Sequence, residues 1–261
     1  MTHRAPALFL SHGAPDLLLR DTEARAFLSD LGAQLPRPKA ILVVSAHWSA
    51  PTVTVGTAES AQIIHDFFGF PDALYQYDYP APGTPEIAGR VAEHLADQGI
   101  DVTTDIQRGL DHGAWSPLVL VYPKADLPVF QVSLQAGGDA KTHFVLGQTL
   151  EILRDEGVMI IGSGAATHNL GDLDPNHGPA NPHNQAFERW LVERVESQDT
   201  DALVGFEKQG PETARIHPTS EHFLPLLVAL GAAGEGARPQ TLHRSFDYGN
   251  IAMSSFAWDL H

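Results

Sequence analysis

The run at residues 40–48, AILVVSAHW, constrains the fold of this chain more than any other stretch. Four apolar residues, Ile41, Leu42, Val43 and Val44, are partly β-branched and show no helical period. They give way abruptly to Ser45, Ala46, His47 and Trp48. So short a run reads as a strand buried on both faces. In open α/β sheets ligands lie just beyond the carboxyl ends of the strands, and this strand ends in a histidine. Two other apolar runs finish the same way. Ala7, Leu8, Phe9 and Leu10 lead into Ser11-His12-Gly13, and Val158, Met159, Ile160 and Ile161 lead through Gly162-Ser163-Gly164 to Thr167-His168. If the three strands are parallel neighbours, His12, His47 and His168 meet at one edge of one sheet.

The rest of the chain supplies helices between these strands. A helix is expected near 22–34, with Phe27 and Leu31 one turn apart. A second follows Thr84-Pro85-Glu86, where the threonine can cap, the proline fits the first helical position and the glutamate suits the positive end. Its buried stripe is Ile87, Val91 and Leu95, and Gly99 ends it. Asp139 caps a third, carrying Leu146, Leu150 and Leu153, and further helices are expected at 185–197, over 200–208 and from Pro225 to about Gly231. Residues 52–55 look like a short partner strand to the organising one, 128–135 like a strand, and 239–246 and 251–258 like late strands. The order implies an α/β/α sandwich with a mostly parallel central sheet and antiparallel edge strands, with residues 1–261 as a single domain. Residues 57–83 form a long loop rich in aromatics, including Phe67, Phe68, Phe70, Tyr75 and Tyr77, and such a loop is expected to wall a pocket.

Composition narrows the function classes. Lys and Arg total 16 against 32 Asp and Glu, a formal charge of -16, so nucleic acid and anionic membrane surfaces are poor partners. No apolar run approaches the ~18 residues of a membrane span. The absence of cysteine removes disulfides and thiolate metal sites and fits a cytoplasmic protein.

Histidine, at 14 residues, is the abundant chemistry. Neutral imidazole is the commonest ligand for zinc, iron and copper, and three imidazoles without a thiolate suit Fe(II) or Zn(II). Each histidine alone has a bland alternative as a core or turn residue; three at equivalent strand ends make that alternative weaker. Gly13, Gly162 and Gly164 beside them allow close approach of backbone or ligand. His222, at the rim of the helix that Pro225 opens, is a fourth candidate ligand, kept neutral by the helix dipole. Glu221 and His217 are its rivals, and capping is the structural alternative for all three. His112, in a turn before Trp115, is a candidate acid/base group, or else a loop hydrogen-bonding residue. His65, His177 and His183 lie in long loops and are expected to be solvated. His3, His94, His143, His243 and His261 are expected to be structural or solvated. Walker, GxGxxG and HExxH motifs are absent, and Gly162-Ser163-Gly164 lacks the spacing of a nucleophile elbow.

Five motifs taken together, SHGAP at 11–15, SAHW at 45–48, LDHGAW at 110–115, GSGAATHNL at 162–170 and HPTSEHFLPLL at 217–227, resemble the DODA-type extradiol ring-opening dioxygenases of the class III, LigB-like superfamily. The resemblance runs from about residue 5 to the C-terminus. It implies His12, His47 and His222 as ligands of a non-haem metal, with His168 beside it as acid/base or fourth ligand and His112 near the substrate. The protocatechuate branch has a glutamate where this chain has His222. The resulting neutral set suits Zn(II) as well as the Fe(II) expected for activity. The resemblance further implies a small catechol, DOPA-like or otherwise, opened by O₂ beside its hydroxyls, with His168 and His112 moving protons. Trp48, Phe68, Tyr75 and Trp115 are candidates to sandwich the ring. A zinc-dependent hydrolase or lyase on the same four histidines, or a non-enzymatic metal-binding scaffold, are the alternatives.

Overall fold

The computed structural model describes residues 4–60 and 62–260 of the chain. Six strands form the main sheet: β1 (Ala7–Ser11), β2 (Ala40–Ser45), β3 (Val129–Gln131), β4 (Val158–Gly164), β5 (Pro239–His243) and β6 (Ser255–Trp258). Their order is β3-β2-β4-β1-β6-β5. The first four are mutually parallel, while β6 and β5 add antiparallel at one edge. The three histidine-terminated strands are therefore consecutive neighbours, as the sequence implies, with β4 between β2 and β1.

Alternation along these strands divides the core into two layers. Ala7, Phe9, Leu42, Val44 and Ile160 face one side. Leu8, Leu10, Ile41, Val43, Met159 and Ile161 face the other. Because both faces are apolar, each strand reads as an unbroken hydrophobic run. On the first side lie α2 (Pro85–Asp97), α4 (Ala140–Leu150), α5 (Pro182–Glu196) and α6 (Leu224–Ala233). On the second lie α1 (Glu23–Leu31) and α3 (His112–Val121). All ten residues of α6 are buried, which suits a helix apolar all round, packed on the sheet on one side and on α4 on the other. Each fully buried leucine there contributes about 1.5–3 kcal/mol of transfer free energy.

Local signals hold where the chemistry is strong. Thr22, Asp111 and Asp139 each cap a helix by accepting a backbone N–H, and Pro85 and Pro225 sit in first turns. Thr84 precedes α2 but makes no side-chain cap. Residues 53–56 do form a strand, but it pairs in parallel with Val102–Asp105 instead of with β2. The run 128–135 is broken in two: β3 pairs with β2, and Leu134–Gln135 pairs with Ser49–Ala50. His112 is the first residue of α3, not part of a turn. Among the described residues no helix is long and apolar enough to cross a membrane.

Candidate metal centre

Backbone hydrogen bonds stitch the ends of the three strands together. His12 N donates to Gly164 O at 3.0 Å, Ala46 N to Ser163 O at 3.0 Å, and Ala165 N to His222 O at 2.9 Å. The last of these brings the lead-in to α6 against β4. A Cβ at Gly164 would collide with the carbonyl oxygen of His222, and one at Gly162 with that of Pro225, so both positions need a residue without a side chain.

His12, His47 and His222 meet at this edge. His47 Nε2 lies 3.1 Å from His12 Nε2 and 3.3 Å from His222 Nε2, and one ligand atom from each lies within 4.8 Å of the others. His12 and His222 are buried and His47 is half-buried. For His12 and His222 the opposite nitrogen fixes the tautomer. Ser163 Oγ commits its only hydrogen to Gly113 O at 2.5 Å, so at 3.0 Å it must accept from His12 Nδ1. Glu221 Oε1 accepts from His222 Nδ1 at 3.2 Å, and Asp66 Oδ2 faces His47 Nδ1 at 3.7 Å. The Nε2 lone pairs of His12 and His222 are thus turned toward His47 Nε2. Burial first, then the neighbouring imidazoles, hold His12 and His222 well below the usual histidine range; burial and His112 bring His47 down to about 4. Neutral lone pairs this close repel unless a cation lies among them. Zinc–nitrogen bonds of about 2.0–2.1 Å at tetrahedral angles set ligand nitrogens about 3.3 Å apart, so the donor set fits a small divalent ion.

Around this group stand two more imidazoles. His168 stacks on His222 with centroids 3.4 Å apart and planes 7° from parallel, and its backbone N–H is fixed on Ile216 O at 3.1 Å. Burial lowers its pKa, Glu221 opposes that, and His112 adds to it. The His112 ring lies 3.9 Å from that of His47 and 5.4 Å from that of His12. Asp111, fully buried beneath His47, accepts from Ser45 Oγ at 2.5 Å, Gln131 Nε2 at 2.9 Å and Arg108 Nη2 at 3.0 Å. It thereby ties β2, β3 and the start of α3 together under the site.

The rivals to His222 fall elsewhere. His217 donates to Ala166 O at 3.0 Å inside a cage of Phe187, Phe206 and Phe223. Glu221 supports His222 from its far side. Of the loop histidines expected in solvent, His65 is packed among Phe67, Tyr75 and Trp115 with Nε2 buried, because the aromatic loop folds over it. His177 leans on Tyr248, and the half-exposed His183 hydrogen-bonds Glu212 at 2.6 Å. His143 is a satisfied core residue, receiving Gln135 N and donating to Asp139 O. His3 and His261 lie outside the described residues. Trp115 is fully buried and Trp48 nearly so, Phe68 is 91% exposed, and Phe67 lies 5.8 Å from His112. Sequence reasoning missed Asp66, Ser163 and Asp111. Each supports an imidazole or its strand from behind; Asp111 and Ser163 stood in motifs that could have pointed to them, and Asp66 did not.

Two parallel-strand ends and the lead-in to a helix bring three imidazoles together, which defines an α/β protein with a candidate metal site. The chain matches, over residues 6–257, the family described as the catalytic LigB subunit of aromatic ring-opening dioxygenase. It is 43% identical over 252 residues to a 4,5-DOPA dioxygenase extradiol of Beta vulgaris, covering 95% of this chain and 94% of that one. A protein of the same description from Escherichia coli K12 is 41% identical over 259 residues, covering 97% and 94%. The crystal structure of an uncharacterized Escherichia coli K12 protein superposes with a TM-score of 0.81 at 35% identity, covering 97% of this chain and 99% of that one. The chain belongs to the LigB family and is an extradiol aromatic ring-opening dioxygenase, an oxidoreductase dependent on a metal ion.

Proposed function

We propose that residues 1–261 act as one domain in which His12, His47 and His222 hold a single divalent ion through Nε2, with His168 and His112 handling protons on a bound catechol. The meeting of the three Nε2 atoms carries this reading. Fe(II) is the ion of the active enzyme, and Zn(II) can occupy the same neutral set. When bound, Fe(II) supplies Lewis acidity toward the catechol oxygens and the redox chemistry that O₂ requires.

The chain's own residues do the rest. His168 has its pKa lowered chiefly by burial and is neutral near pH 7, which suits a base that takes a proton from a substrate hydroxyl. His112 carries a hydrogen on Nδ1, committed to Asp66, and so offers Nε2 as its free acceptor. Phe67, against His112, gives a flat ring an apolar wall. Relatives described as 4,5-DOPA dioxygenase extradiol support a DOPA-like catechol as substrate. The test is anaerobic loading with Fe(II), followed by DOPA or simpler catechols and O₂. Oxygen uptake with a yellow semialdehyde product is expected. A loaded protein that consumes no O₂ with any catechol tried overturns the proposal and favours zinc hydrolysis.

A further inference from the structure

The aromatic loop contributes one carboxylate to the cluster that the proposed chemistry leaves without a role. Asp66 lies between His65 and Phe67 with its side chain 23% exposed. Its Oδ1 accepts both N–H groups of a single residue, the backbone of His112 at 2.9 Å and the His112 Nδ1 at 3.0 Å. Its Oδ2 is left facing His47 at 3.7 Å. A carboxylate oxygen that already accepts the backbone N–H has only lone pairs to offer the ring, so the shared hydrogen belongs to His112 Nδ1.

The loop does not need this charge to stay docked. Ile64 N donates to Leu110 O at 2.7 Å, Leu110 N to Gln62 O at 2.9 Å, and Trp115 Nε1 to Ile64 O at 3.1 Å. These bonds hold the segment before Asp66 against the start of α3. A partly desolvated carboxylate costs free energy to place, and a neutral residue would satisfy packing alone. What the carboxylate adds is directional. It fixes the ring and the backbone of one histidine together, through one oxygen.

We propose that Asp66 is a positioning residue for ring opening: it locks His112 in the Nδ1–H tautomer, so that Nε2 is the nitrogen that exchanges protons with the substrate. This rests on the reading of His112 as a proton-handling group. A carboxylate holding the far nitrogen of an imidazole sets its tautomer and supports the positive charge it gains on accepting a proton.

The test combines kinetics of Fe(II)-loaded enzyme with imidazole nitrogen NMR of zinc-loaded protein. Asp66→Ala is expected to lower kcat on the order of 10²-fold, leave KM within about threefold and retain its metal. Asp66→Asn, the same size, folds even if the alanine variant does not, and is expected to lie between wild type and Asp66→Ala. The double variant Asp66→Ala/His112→Ala is expected to be no slower than His112→Ala, because one residue acts through the other. Nitrogen shifts of wild-type His112 are expected to report a hydrogen on Nδ1, and that preference is expected to relax in Asp66→Asn. Wild-type kcat in both Asp66 variants, losses that multiply in the double variant, loss of metal, or a hydrogen on Nε2 in the wild type would each overturn the inference. A slow His112→Ala beside fully active Asp66 variants removes Asp66 alone. A fully active His112→Ala removes the His112 reading and this inference with it.

Discussion

Each imidazole at the centre behaves according to what its second nitrogen meets. His12 and His222 turn Nε2 inward because Ser163 and Glu221 stand behind Nδ1, and His47 presents Nε2 between them. His47→Ala should abolish metal uptake while leaving circular dichroism unchanged, because the half-buried ring is not core; stoichiometric metal in that variant would disprove its assignment. His168→Ala should retain most of its metal and lose turnover by about 10²–10⁴-fold, measured as oxygen uptake per metal. Ser163→Ala should weaken metal affinity by about 10–100-fold in a chelator competition, since His12 is then free to turn. His12 and His47 were legible because a histidine straight after a buried strand is conspicuous, whereas His222 was signalled by the proline-opened helix it precedes. Ser163 and Asp66 were not, because a supporting acceptor is chosen by tertiary approach. Ser163 stood in a Gly-Ser-Gly turn without the spacing of a nucleophile elbow, and its hydroxyl is spent on Gly113 and His12.

Among the elements, the contact between α6 and β4 bears most on the site. Gly162 and Gly164 let the start of that helix reach the strand, and His222 rides on the same segment. Gly162→Val should therefore destabilise the protein by about 1–3 kcal/mol, read from urea unfolding, and should also loosen metal binding. Retention of both wild-type values would show that the close approach is not needed. The strands of the parallel core were legible because burial on two faces leaves an unbroken apolar run. The break in 128–135 was not: β2 bends away at Ala46 and His47, so the same segment changes partner to Ser49–Ala50, and alternation of side chains carries no record of which neighbour it follows. The pairing of 53–56 with 102–105 was hidden for the same reason.

At the scale of the whole molecule, the layers and the antiparallel edge could be read from the order of elements, whereas the way the aromatic loop folds over His65 could not, since aromatic content does not say what a loop covers. Burial of neutral histidines also gives the fold a pH dependence. His217 is held at about 4, with burial the main cause, against 6.5 in an unfolded chain. Below pH 6.5 the unfolded state takes up the proton first, so the contribution is complete above that pH and drains away toward pH 4, amounting to on the order of 3 kcal/mol. Urea midpoints of metal-free protein should fall between pH 7 and 4.5, and less steeply in His217→Gln; equal slopes would remove His217 as a cause.

The three inward nitrogens lie far apart along the chain, His12 and His47 separated by 35 positions and His47 and His222 by 175. A polypeptide made from its N-terminal side shows the first two rings well before the third. On the proposed ligand set, an ion would until then meet only a pair of nitrogens and be held weakly. On that reading firm capture would wait until the segment carrying His222 has reached the ends of β1 and β2.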